Sequence, residues 1–251
     1  MGNNEYSLKL VAGLFLVFVL FHWSATALGS DRGQAGLLVG ALVVAATLAV
    51  ERLFFGRPVA TAARTLGLGA PALHGVATAA ALGLALLLVI PVFARVTQSS
   101  VTTYPGWAAL LPGLFAQAGI AEETLFRGYL FGHLRRGRSF WRAAALATVP
   151  FTLVHLILFA TMPWALALAS VLLAVVISFP LAYLFELGGN TIWAPAIVHF
   201  VVQGALKVLV ISGESSASLP LVWMAASAVL PYIAFVVPRP TLDSRDARRL
   251  T

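Results

Sequence analysis

About eight stretches of this chain are apolar for long enough to cross a bilayer, and that pattern limits what it can fold into more than any other feature. A spanning helix takes about 20 mostly apolar residues. Segments of that kind are read at 8–28, 36–55, 73–93, 107–131, 141–160, 163–185, 191–211 and 219–237. The composition agrees: 60% of the 251 residues are hydrophobic and only 10% are charged. A soluble domain carries about 25% charged residues. The expected fold is all-α, a polytopic transmembrane helical bundle of about eight spans. Its expected divisions are N-terminal helices with an interfacial segment (1–106), a helical core (107–211), and a last span with a basic tail (212–251).

Lys9, the apolar run after it and Ala25-Thr26-Ala27 imitate a signal peptide. The single basic residue and Glu5 argue instead for a retained first span. Gly2 begins no myristoylation motif, because position 6 is Tyr.

The basic residues fall mainly on one side of the bundle. With eight spans, Lys9, Arg52, Arg57, Arg64, Arg135, Arg136, Arg138, Arg142, Arg239, Arg245, Arg248 and Arg249 share a side, and only Arg32 and Arg95 lie in loops opposite. The positive-inside rule then places both termini in the cytoplasm. The formal charge of +7 therefore reflects membrane topology and does not call for a nucleic acid partner. Residues 57–68, with Pro58 at their start, fit a short interfacial helix. Cysteine is absent, which excludes disulfides and thiolate metal sites.

Charged groups inside such spans are costly, and they mark cavities and function. Glu122, Glu123 and Arg127 sit within the fourth span. Glu123 and Arg127 are four apart and pair on one helical face, while Glu122 points about 100° away and stays unpaired by them. His155 lies in the fifth span. His199 and Gln203 share a face of the seventh, and both can donate hydrogen bonds as an oxyanion site requires. Lys207 extends that face and reads as a lysine snorkelling to the interface. Counted from the cytoplasmic ends of their helices, at Arg135, Arg142 and Asn190, Glu122, His155 and His199 lie roughly 20, 20 and 14 Å deep. That common depth joins three helices into one expected site. His22, His74 and His133 lie near helix ends without a carboxylate at useful spacing, and Glu51 and Glu186 read as solvated helix-end residues. Asn190 reads as a turn or cap residue, and Pro150, Pro180 and Pro195 as kinks that open a cavity.

Glu122-Glu123-Thr124-Leu125-Phe126-Arg127 fits EExxxR, Phe151 to His155 fits FxxxH, and His199 to Gln203 fits most of HxxxN. Together these motifs, over about 107–211, resemble the CPBP family of intramembrane proteases: CAAX prenyl proteases of the Rce1 type and bacteriocin-processing or immunity (Abi) proteins. The resemblance implies a glutamate-type endopeptidase. In it Glu122 is the base that activates water, His155 holds that water, His199 and Gln203 stabilise the oxyanion, and Glu123 and Arg127 support the site. A carboxylate screened from bulk water holds a proton more readily than one in solution, which suits a base. The substrate implied is a membrane-anchored or lipid-modified protein, cut near its C-terminus or membrane-proximal part in a bacterial inner membrane.

Gln203 departs from the family's Asn, and its extra methylene moves the amide by about a bond length. Two histidines and a glutamate could ligate zinc, but without HExxH, and with an amide beside His199, the pattern favours no metal cofactor. The alternative function is a non-proteolytic scaffold or immunity protein that keeps the charges as an interhelical lock. A solute-coupled transporter is disfavoured by the lack of repeated halves with interrupted helices.

Overall fold

The computed structural model describes residues 3–28 and 33–239. Gly2, Arg32 and the tail with Arg245, Arg248 and Arg249 lie outside the described residues. Helices α1 (Asn3–Ala27) and α2 (Gln34–Phe55) form a hairpin. The short α3 (Val59–Thr65) starts at Pro58, as the sequence predicts, and seats Ala62 and Leu66 inward. Helix α4 (Leu73–Val96) leads to strand β1 (Ser100–Thr103). Helix α5 begins at Trp107–Leu114, widens into π-helical turns over Phe115–Ala121 and Thr124–Phe131, and ends at Gly132–Arg135. Helix α6 (Phe140–His155) passes into a 3₁₀ turn, Leu156–Ala160. Helices α7 (Trp164–Leu187) and α8 (Trp193–Val208) follow, then strand β2 (Leu209–Ser212) and α9 (Leu219–Val229), which continues as a 3₁₀ turn.

Six helical segments among the described residues are long and apolar enough to cross a membrane. The other two expected spans depart from that standard for a reason. Over its expected span, 107–131, α5 carries three charges and two π-helical stretches, and α8 is only 16 residues long. The span expected at 191–211 ends as a helix at Val208, and its last residues form β2. Strands β1 and β2 pair antiparallel, so the all-α expectation is corrected by one small ribbon.

The protein is an integral membrane protein inside out with respect to a soluble one. Leu8, Phe15, Trp23, Leu88 and Leu172 are exposed. Surfaces of this kind suit lipid tails, not water. The interior holds Glu51, Glu123, Arg127, His133 and His199, all buried. Helix α8 packs among α4, α7 and the first π-helical stretch of α5. Small residues allow α2 to approach α5: a Cβ on Gly36 would lie 2.4 Å from the Gly113 carbonyl oxygen. Without a hydrophobic drive between helices in lipid, such close backbone packing is a main source of association.

At the arginine-rich end two expectations are corrected. Glu51 is fully buried: it accepts from Arg57 at 2.6 Å and lies 2.6 Å from Nε2 of His133. His133 thus has a carboxylate partner, and its Nδ1 accepts from the Tyr6 hydroxyl at 2.6 Å. The partner was invisible in the sequence because 82 positions separate Glu51 from His133. Glu186 is also tied down, by Arg135 and Arg239, and its side chain is only 12% exposed. Asn190 sits in the left-handed region at φ 59°, in the turn between α7 and α8.

Candidate active site

The polar groups of the fourth, fifth and seventh expected spans converge at one place within the bundle. Glu122 and Glu123 lie on α5 between its two π-helical stretches. The Glu122 N–H bonds to the Gln117 carbonyl, five residues back. Turns of this width are frequent at functional sites.

The two glutamates have different surroundings. Glu123 is fully buried, and its Oε1 accepts from Arg127 at 3.0 Å and from His199 Nδ1 at 2.6 Å. An ionised carboxylate only accepts, so that contact fixes the His199 proton on Nδ1. The Arg127 guanidinium also stacks 4.2 Å over the Phe151 ring, a cation–π seat in an apolar setting. Glu122 is outside this lock. Its side chain is 14% exposed, and its Oε1 accepts from the Gln203 amide at 3.1 Å. The expectation that one carboxylate is paired and the other left to a different face matches the geometry.

Gln203 bridges two groups. The same Nε2 that donates to Glu122 lies 2.9 Å from Nε2 of His199. With its proton on Nδ1, His199 presents a lone pair on Nε2, so the two hydrogens of the amide serve one acceptor each. His199 Nε2 is 3.7 Å from Glu122 Oε2.

His155 closes the site from the end of α6. Its Nδ1 donates to the Phe151 carbonyl at 2.7 Å, which leaves Nε2 as an acceptor in the neutral ring. Glu122 and His155 line the same cavity, of about 130 Å³, with Phe18, Phe21, Phe126, Val154, Ile157 and Leu158 as its apolar walls.

Phe151, quoted in the sequence only as a motif letter, is a hub: its ring meets Phe126, His155, His199 and Arg127. Phe18 and Phe21 carried no signal in the sequence, because two phenylalanines in an apolar first span look like lipid-facing residues. Among the metal donors, both nitrogens of His199 and Oε1 of Glu122 are committed to hydrogen bonds, and Nδ1 of His155 to a carbonyl. That donor set suits a hydrogen-bonded water site better than a three-ligand metal shell.

A membrane-embedded helical bundle in which Glu122 and His155 line one cavity and the Gln203 amide bonds Glu122 defines the class of protein. Residues 104–205 match the family model described as type II CAAX prenyl endopeptidase Rce1-like, so that stretch is similar to Rce1-like proteins. The match supports a peptidase that works in the membrane. No curated protein matches the chain.

Proposed function

We propose that this protein is an intramembrane endopeptidase in which Glu122 is the general base. The observation that carries the reading is the division of labour between neighbouring glutamates. Glu123 is consumed by Arg127 and His199, whereas Glu122 faces a cavity shared with His155. A lock needs only the first arrangement; the second supplies a base with room for water beside it.

In this reading a water molecule sits between Glu122 and Nε2 of His155. Glu122 takes its proton while the oxygen attacks the scissile carbonyl carbon, and the carbonyl π electrons move to the oxygen. Negative charge thereby leaves Glu122 and appears on the oxyanion. The Gln203 N–H that bonds the carboxylate at rest turns to the oxyanion, because a neutral carboxyl is the weaker acceptor. His199, fixed on Glu123, holds the amide in place. Collapse of the intermediate breaks the C–N bond, and Glu122 returns its proton to the leaving amine. Arg127 pairs with Glu123, and Glu123 in turn orients His199.

The substrate is a membrane-anchored or lipid-modified protein, in keeping with a family described as a CAAX prenyl endopeptidase, cut near its C-terminus or membrane-proximal part. The arginine-rich end lies in the cytoplasm with both termini, in a bacterial inner membrane, and residues 107–211 form the catalytic core. The test compares membranes holding the wild type with membranes holding Glu122→Gln at equal abundance, by mass spectrometry of peptide termini. Termini present only with the wild type support a protease. Identical termini, with a phenotype that both proteins rescue, support the scaffold or immunity alternative.

A further inference from the structure

Resting on the proteolytic reading of Glu122, we infer that the cavity beside Glu122 is a subsite for the substrate side chain next to the scissile bond, and that Phe18 and Phe21 of α1 set its size. It takes one bulky apolar side chain, a branched aliphatic or a single aromatic ring.

The argument starts from the walls. Glu122 and His155 supply the polar edge, and every other lining residue is apolar. A cavity needs polar partners on several sides to hold ordered water throughout, so the part remote from Glu122 favours hydrocarbon. The volume of about 130 Å³ is close to the roughly 150 Å³ of an apolar protein cavity that accepts benzene. A charged side chain there would lose its hydration with only the catalytic groups to meet it, and it is rejected.

The walls also come from two sources. Phe126, Val154, Ile157 and Leu158 lie within residues 104–205, the Rce1-like stretch, and so do Glu122 and His155. Phe18 and Phe21 lie outside it, on a helix whose main contacts among the described residues are with α2 and the second half of α5. Phe21 is buried and Phe18 is half-buried, and both pack against the core. The chemical groups and the selecting wall thus belong to separate parts of the chain, and the wall can change without altering the bond-breaking residues.

The test extends the comparison of termini to variants that move the volume in opposite directions. Phe18→Leu and Phe21→Leu enlarge the subsite, and Leu158→Phe shrinks it. All are compared at equal membrane abundance with wild type and Glu122→Gln. Wild-type termini, absent with Glu122→Gln, are expected to be flanked by Leu, Ile, Val, Met or Phe on one side of the cut. The enlarged variants shift that position toward aromatic residues and the reduced one toward Val and Ala, each by about tenfold in relative cleavage, the effect of a methylene-sized change in a pocket. Opposite shifts are something a merely structural defect would not produce. The same residue profile in all three variants, or wild-type cuts flanked by polar residues on both sides, overturns the inference and leaves the protease reading standing. No wild-type termini beyond those of Glu122→Gln overturns the protease reading and this one with it.

Discussion

The amide nitrogen of Gln203 lies 3.1 Å from Oε1 of Glu122, so a residue on α8 holds the carboxylate that α5 aims into the cavity. The same nitrogen lies 2.9 Å from Nε2 of His199, and its position between the two acceptors depends on the full length of the glutamine side chain.

Shortening that side chain is therefore expected to harm the site. From motif geometry alone, Gln203→Asn restores the family residue and should preserve or raise activity. The bridge argues the reverse: withdrawing the amide by about 1.5 Å, one C–C bond, breaks both contacts. The expected result is a fall in the rate of cleavage of about 10²-fold, the scale of losing one oxyanion donor. Activity at or above wild type would show that the pocket closes around asparagine.

Glu122→Gln is expected to lower cleavage by about 10³-fold or more while the protein stays folded, since general-base contributions span about 10²–10⁴. Glu122 makes no hydrogen bond to Glu123, Arg127 or His199, its nearest approach to that buried lock being 3.7 Å to Nε2 of His199, so thermal aggregation in detergent should change little. A variant that aggregates far below the wild type would reassign Glu122 to structure.

Arg127→Ala should do the opposite. It strands the carboxylate of Glu123, which is fully buried, and removes the guanidinium from the Phe151 ring. Breaking a buried pair from one side costs about 3–5 kcal/mol. The loss should appear as a lower aggregation temperature and be partly recovered in Arg127→Met with Glu123→Gln, which removes both charges. Equal destabilisation in the single and double variants would refute a charge-stranding account.

The Glu51 cluster offers a test away from the cavity. Glu51→Ala leaves Arg57 and His133 without their shared acceptor, and the contact of α1 with α5 through Tyr6 and His133 loosens. A loss of about 3–5 kcal/mol is expected here too, with accelerated proteolysis of α1 as its local readout. Unchanged protection of α1 would mean that the close approach of Gly13 to the Tyr129 side chain of α5, whose hydroxyl donates to the Leu10 carbonyl at 3.2 Å, retains it.

Chelation should leave cleavage unchanged, because both nitrogens of His199, Oε1 of Glu122 and Nδ1 of His155 are already committed to hydrogen bonds. Membranes treated with a chelator and then resupplied with zinc provide the measurement. Loss on treatment and recovery with zinc would require a rearranged donor set.

Much of this protein is decided locally, and the sequence by itself determined that part. Runs of apolar residues can only be satisfied in lipid, so the membrane class follows from hydropathy. Helical periodicity brings Glu123 to Arg127 and His199 to Gln203, and counting residues from the cytoplasmic helix ends brings three helices to one depth. Periodicity stops at the surface of a single helix. It cannot say which glutamate is enclosed and which meets a cavity, because burial belongs to the neighbours; the packing of α8 on α5 decided that. Nor could it pair Glu51 with His133, predict the π-helical turns that flank Glu122, or turn Phe18 and Phe21 inward. Each of these depends on contacts between residues far apart in the chain, and their energies exist only once the helices have assembled.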